Sequence, residues 1–112
     1  MTKRRRAGAV LAAIVILCAG CGGTDDDKRA PAVITIENLE FAPSLLRAKV
    51  GQAITVQNRD AAEHTVTGVD GSFDTGRFGA GAKTFMVAKA GRYEYFCAVH
   101  PFMAHRIIQV DA

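Results

Sequence analysis

Near the end of the chain, Cys97-Ala98-Val99-His100-Pro101-Phe102-Met103 packs a thiol, an imidazole and a thioether into a single short run. A loop can fold such groups around one point without disturbing the elements on either side. A second imidazole, His64, lies well upstream. Thiolate, two imidazoles and a weak thioether are the donor types of a mononuclear copper site that passes single electrons. Soft sulfur suits Cu(I) and imidazole suits both oxidation states. A trigonal arrangement that satisfies neither ion fully keeps reorganisation small when one electron moves. His105 offers an alternative donor, and a Cys-His-His-His set favours zinc or a copper site of a different colour.

The elements that must position these groups read as short strands. Val33 to Ile36 are β-formers in period-two alternation, which Leu39 and Phe41 continue. Pro43 interrupts it. Leu46 to Val50 is a second run, closed by Gly51-Gln52. Ala53 to Gln57 is a third, ended by the turn cluster Asn58-Arg59-Asp60. His64 to Thr67 is β-like. The glycine-rich stretch from Gly68 to Gly81 reads as loop, with one short strand near Ser72-Phe73. Lys83 to Val87, Arg92 to Cys97 and Arg106 to Val110 complete the set. In the run before Cys97, Tyr93, Tyr95 and Cys97 face one way and Glu94 and Phe96 the other. Gly91-x-Tyr93 predicts a tyrosine corner bonded back to its turn. Strands at this spacing, with no helical stripe, predict an all-β sandwich or barrel over residues 32–112. A domain of that size has a modest core, which a bound metal would reinforce.

The chain has 112 residues and a formal charge of +3, but Lys3, Arg4, Arg5 and Arg6 at the start account for the excess. From Pro31 onward basic and acidic residues balance, so the domain has no electrostatic footprint for a phosphate backbone and nucleic-acid binding is disfavoured. The basic start and the uncharged run from Ala7 to Gly23 predict an export signal over residues 1–20, too short for a permanent span. Leu17-Cys18-Ala19-Gly20-Cys21 resembles a bacterial lipoprotein signal, in which the last cysteine is lipidated and becomes the first residue of the mature protein. Residues 21–31, with Gly-Gly-Thr-Asp-Asp-Asp-Lys-Arg after Cys21, then read as a solvated tether. Acyl chains, at about 0.8 kcal/mol per buried methylene, would hold the protein at the outer face of the cytoplasmic membrane. Cys97 is left as a lone thiol in an oxidising compartment, where an unpaired cysteine needs protection or a job.

From Leu39 to Val110 the sequence resembles the cupredoxins, of the plastocyanin and amicyanin kind. The features that carry the likeness are Phe41-x-Pro43, Gly51 ahead of Ile54-Thr55-Val56, Asn58 ahead of His64, Gly91-x-Tyr93-x-Tyr95-x-Cys97, and the C-x-x-H-x-x-M loop. The resemblance implies an all-β, small Greek-key β-sandwich and one copper ion, with His64, Cys97 and His100 as ligands and Met103 as axial ligand. It implies an electron carrier rather than an enzyme, since related oxidases and reductases need further histidines for a catalytic copper. A copper-handling protein that buffers or delivers the ion is the alternative. His100 is the expected electron port, in an apolar patch of Leu39, Pro101 and Phe102 on which redox donors and acceptors dock a monomer. Three positions depart from the family's pattern. Thr65 stands where relatives often have an Asn that ties the two ligand loops. His105 stands where a Gly is common. Val99 stands where many relatives have Pro, so its amide is expected to point at the Cys97 sulfur and tune the potential.

Overall fold

Apolar side chains at Ala32, Ile34 and Ile36 alternate with more exposed neighbours, and this period of two makes the first strand, β1 (Ala32–Glu37). The computed structural model describes residues 30–112; the leader, Cys21 and most of the tether lie outside the described residues. The strands that follow are β2 (Glu40–Ala42), β3 (Leu45–Lys49), β4 (Ile54–Asn58), β5 (Thr67–Gly68), β6 (Gly81–Phe85), β7 (Gly91–Phe96) and β8 (Arg106–Asp111). They form two four-stranded sheets, ordered β2-β1-β4-β6 and β3-β8-β7-β5. Strand β1 runs parallel to β4 and β3 runs parallel to β8, while the other pairs are antiparallel. Ile34, Ile36, Val56, Tyr95 and Ile108 are fully buried between the sheets. Burial of this kind is worth roughly 1.5–3 kcal/mol per large side chain. The expected β-sandwich is therefore the observed architecture.

The alternation through Leu39 to Phe41 does not continue as one strand. The chain reverses at Asn38 and Leu39, whose φ angles are 56° and 61°, and Ile36 pairs with Phe41 across the hairpin. Two consecutive positive φ angles are what a two-residue hairpin needs to match strand twist. Asn tolerates that conformation; Leu does so only when held. Asp60 holds it, accepting the Asn38 amide at 2.8 Å and the Leu39 amide at 3.0 Å.

The segment between β4 and β6 also differs from expectation. The β-like run from His64 shrinks to Thr67–Gly68, and no strand forms at Ser72-Phe73 among the described residues. The glycine-rich loop is instead pinned against the run that holds His64. The His64 and Phe78 backbones exchange hydrogen bonds of 3.0 and 3.1 Å, and the Thr75 amide donates to the Val66 carbonyl at 3.0 Å. Buried Phe73 anchors the loop to the core. At the far turn the Tyr93 hydroxyl donates to the Lys89 carbonyl at 2.7 Å, which is the expected tyrosine corner.

Candidate metal centre

His64 reaches the site from a turn organised by Asn58. The buried Asn58 side chain donates to the Ala62 carbonyl at 2.9 Å and the Phe78 carbonyl at 3.1 Å, and accepts the Asp60 amide at 2.9 Å. The His64 ring is fully buried, and its Nε2–H donates to Asp60 Oδ2 at 2.9 Å. A carboxylate only accepts, so the neutral ring carries its proton on Nε2 and presents a bare lone pair at Nδ1. Asp60 is held below the ordinary carboxylate range, first by the Leu39 amide, then by the Asn38 amide and His64, against the opposing effect of its partial burial.

Cys97 lies at the end of β7, one alternation beyond Tyr95, and its thiol is buried and unpaired among the described residues. Its Sγ is 3.7 Å from His64 Nδ1 and 3.8 Å from His100 Nδ1, and the two ring nitrogens are 3.2 Å apart. The three donor atoms all lie within 4.8 Å of one another. Two imidazole lone pairs and a sulfur converging in one buried place form a donor set for a soft or borderline metal, and copper fits it. Met103 is buried, lies near the three donors and is tied back to them, its amide donating to the His100 carbonyl at 3.0 Å.

The remaining predicted positions divide. Thr65 is buried, and its Oγ1 accepts the Ala98 amide at 2.8 Å, so a hydroxyl ties the two ligand segments together. His105 is turned away from the cluster, its Nδ1 lying 2.6 Å from Glu94 Oε2 on an exposed face. Val99 requires a correction. The amide that reaches the Cys97 sulfur is that of His100, at 3.4 Å. The chain turns tightly after the thiol, so the residue three places on points its N–H back, while Val99 packs half-buried against the core. Among the patch residues Leu39 is 40% exposed at the hairpin tip and Phe102 is 73% exposed. Pro101, next to Phe102 in the chain, is exposed as well. The Phe102 ring meets the half-buried His100 ring edge to face, with centroids 5.7 Å apart. Asp60 is the residue sequence reasoning missed as a site member. Its only signal is a carboxylate shortly before a candidate ligand histidine.

The sequence matches the family described as a cupredoxin-like domain over residues 9–109, and the chain belongs to that family. It is similar to the amicyanin of Paracoccus denitrificans, 29% identical over 82 residues that cover 68% of this chain and 63% of that protein. The chain thus spans a little under two thirds of the length of that curated relative. Among solved structures, an amicyanin variant in its oxidised state superposes with a TM-score of 0.65 at 27% identity, over 76% of this chain and 88% of that one. Another amicyanin variant, in a reduced Cu(I) form, gives 0.65 at 28% identity over the same shares of 76% and 88%. The copper-containing nitrite reductase of Thermus scotoductus gives 0.66 at 25% identity over 76% of this chain but 23% of that chain. The likeness to the reductase is therefore one of a single domain.

Proposed function

We propose that this protein is a one-electron carrier with one type 1 copper ion, which His64, Cys97, His100 and Met103 would hold. The observation that supports this most is the convergence of Cys97 Sγ, His64 Nδ1 and His100 Nδ1 within 4.8 Å, in a place sealed on one side by the sandwich. The bound ion supplies a Cu(I)/Cu(II) couple. The chain supplies the rest. Cys97 binds as thiolate, and the His100 amide donates toward its sulfur. His64 is fixed in one tautomer by Asp60 and cannot swing away in a filled core, which limits rearrangement as the charge changes. His100 is the ligand at the edge. Its ring lies beside exposed Phe102, so a partner docked on this apolar edge would come nearest to the ion through His100. Pro101, next to Phe102 in the chain, would extend that edge, and Leu39, exposed at the hairpin tip, is the third residue of the proposed patch. The near-balance of charge in the domain makes long-range steering weak.

In this reading the protein acts as a carrier, not an enzyme, and docks as a monomer. Lipid on Cys21 and the tether to residue 31 hold the domain at the outer face of the cytoplasmic membrane. The visible spectrum of the copper-loaded domain tests the site: an intense absorption in the red is expected. A colourless loaded protein that gives up its metal freely overturns the reading in favour of copper handling. Mass spectrometry of the mature N-terminus tests the anchor, with a lipidated Cys21 expected and an unmodified one refuting it.

A further inference from the structure

Thr65 ties the thiolate loop to the His64 segment with a hydroxyl, and a hydroxyl rotates. An amide side chain would present its acceptor in a fixed plane, whereas threonine needs something to fix where its proton goes. Thr65 is buried, so water does not do this. Its Oγ1 lies 2.7 Å from Thr67 Oγ1. Thr67 Oγ1 in turn donates to Asp74 Oδ1 at 3.1 Å. The directions follow from chemistry alone. The carboxylate only accepts, so the single Thr67 proton goes to Asp74. Thr67 then accepts from Thr65, whose single proton is used, and Thr65 presents lone pairs to the Ala98 amide at 2.8 Å. The chain runs one way, from the backbone next to Cys97 out to an exposed carboxylate, and each bond polarises the next.

Asp74 is itself anchored. Its Oδ1 also accepts the Gly76 amide at 2.8 Å. The Val66 amide donates to Thr75 Oγ1 at 2.9 Å, so the loop carrying Asp74 is stapled to the segment carrying Thr65.

We propose that Thr67 and Asp74 are positioning residues for the thiolate loop: Asp74 sets the direction of the Thr67–Thr65 hydroxyl chain and so fixes the Ala98 amide and the placement of Cys97. The proposal rests on the reading of Cys97 as a metal ligand. Its test separates the two by including a measurement on the metal-free protein. Amide hydrogen exchange at Ala98 is followed in metal-free Thr67→Val and Asp74→Ala proteins, with Thr67→Ser and Asp74→Asn as variants that keep the hydroxyl or the acceptor oxygen. Exchange at Ile108 and Val110 reports whether the sandwich is intact. Exchange at Ala98 is expected to accelerate about fivefold in the first pair, roughly the worth of one hydrogen bond, and to return near the wild-type rate in the second. After loading with copper, the absorption maximum and reduction potential are expected to shift in Thr67→Val and Asp74→Ala, and to be restored in Thr67→Ser and Asp74→Asn. An unchanged Ala98 rate in both disruptive variants overturns the proposal. So does a faster rate with an unshifted spectrum and potential, since the chain would then hold backbone without acting on the thiolate. The expected exchange pattern in the metal-free variants, together with a wild-type protein that takes no colour with copper, overturns the metal reading instead.

Discussion

Replacing Tyr95 with phenylalanine removes one oxygen from the middle of the sandwich and leaves the ring in place. Tyr95 is fully buried on the strand that leads to Cys97. Its ring meets Phe41 edge to face, with centroids 4.8 Å apart, and that contact survives the substitution. The hydroxyl has no hydrogen-bond partner among the described residues. A buried donor left unpaired costs about 1–3 kcal/mol, so the variant is expected to be more stable by about that amount. In a domain of this size 1 kcal/mol shifts Tm by about 4–8 °C, which sets a minimum expected rise of about 4 °C. A second signature follows from burial, which pushes the Tyr95 phenol well above the ordinary tyrosine range despite the opposing pull of the Arg106 guanidinium. The folded pKa is raised, so the stability due to the neutral phenol is complete below the unfolded value, about 10. It is lost as pH rises beyond that, at up to about 1.4 kcal/mol per pH unit. The gap between variant and wild type should therefore widen above pH ~10. Urea and thermal unfolding of the metal-free proteins across neutral and alkaline pH measure both. A variant no more stable than wild type, or a gap that stays constant with pH, refutes the reasoning.

Other substitutions address the site directly. Cys97→Ser should abolish the red absorption of the copper-loaded protein, because a serine hydroxyl does not bind deprotonated at neutral pH; retained colour would exclude Cys97 as the ligand. Asp60→Asn removes the charge behind His64 and should weaken metal binding roughly 10–100-fold, as read by competition with a chelator; unchanged affinity would leave Asp60 a purely local hairpin anchor. Phe102→Glu should slow electron exchange with a redox partner while leaving the spectrum intact, and stopped-flow kinetics over a salt series checks it. Val99→Pro should leave the reduction potential of a folded, coloured protein unmoved, because the amide directed at the sulfur belongs to His100; a lowered potential in voltammetry would restore the role first expected of Val99.

The candidate donors near the end of the chain were legible because their chemistry is contiguous: Cys97, His100 and Met103 fall within one short run, and only one further histidine had to be brought in from elsewhere. The strands around Ile34, Val56, Tyr95 and Ile108 were legible because one face is buried and the period of two is clean. The hairpin at Asn38-Leu39 was not, because Leu39 reads as one more apolar strand residue ahead of Phe41 and leucine gives no hint of a positive φ. What determines that turn is Asp60, a residue 22 positions away from Asn38. The amide donor to sulfur escaped for a similar reason. Whether Val99 or His100 points back depends on how tightly the loop turns, and composition does not encode that. The glycine-rich stretch from Gly68 to Gly81 showed no periodicity because it is held by bridges and side-chain bonds rather than by a ladder.

Asp60 ties three things with one carboxylate: the two amides at the hairpin tip and the ring of the buried histidine. In mechanical terms it is a strut between the outside of the molecule and its most sheltered candidate donor. Leu39, exposed at the tip, is the end on which another surface can press. A load applied there is carried through two short hydrogen bonds to Asp60 and on to His64, without crossing the core. One carboxylate thus makes the shape of an exposed turn and the placement of a buried imidazole a single piece of structure, so a change made at either end is a change at the other.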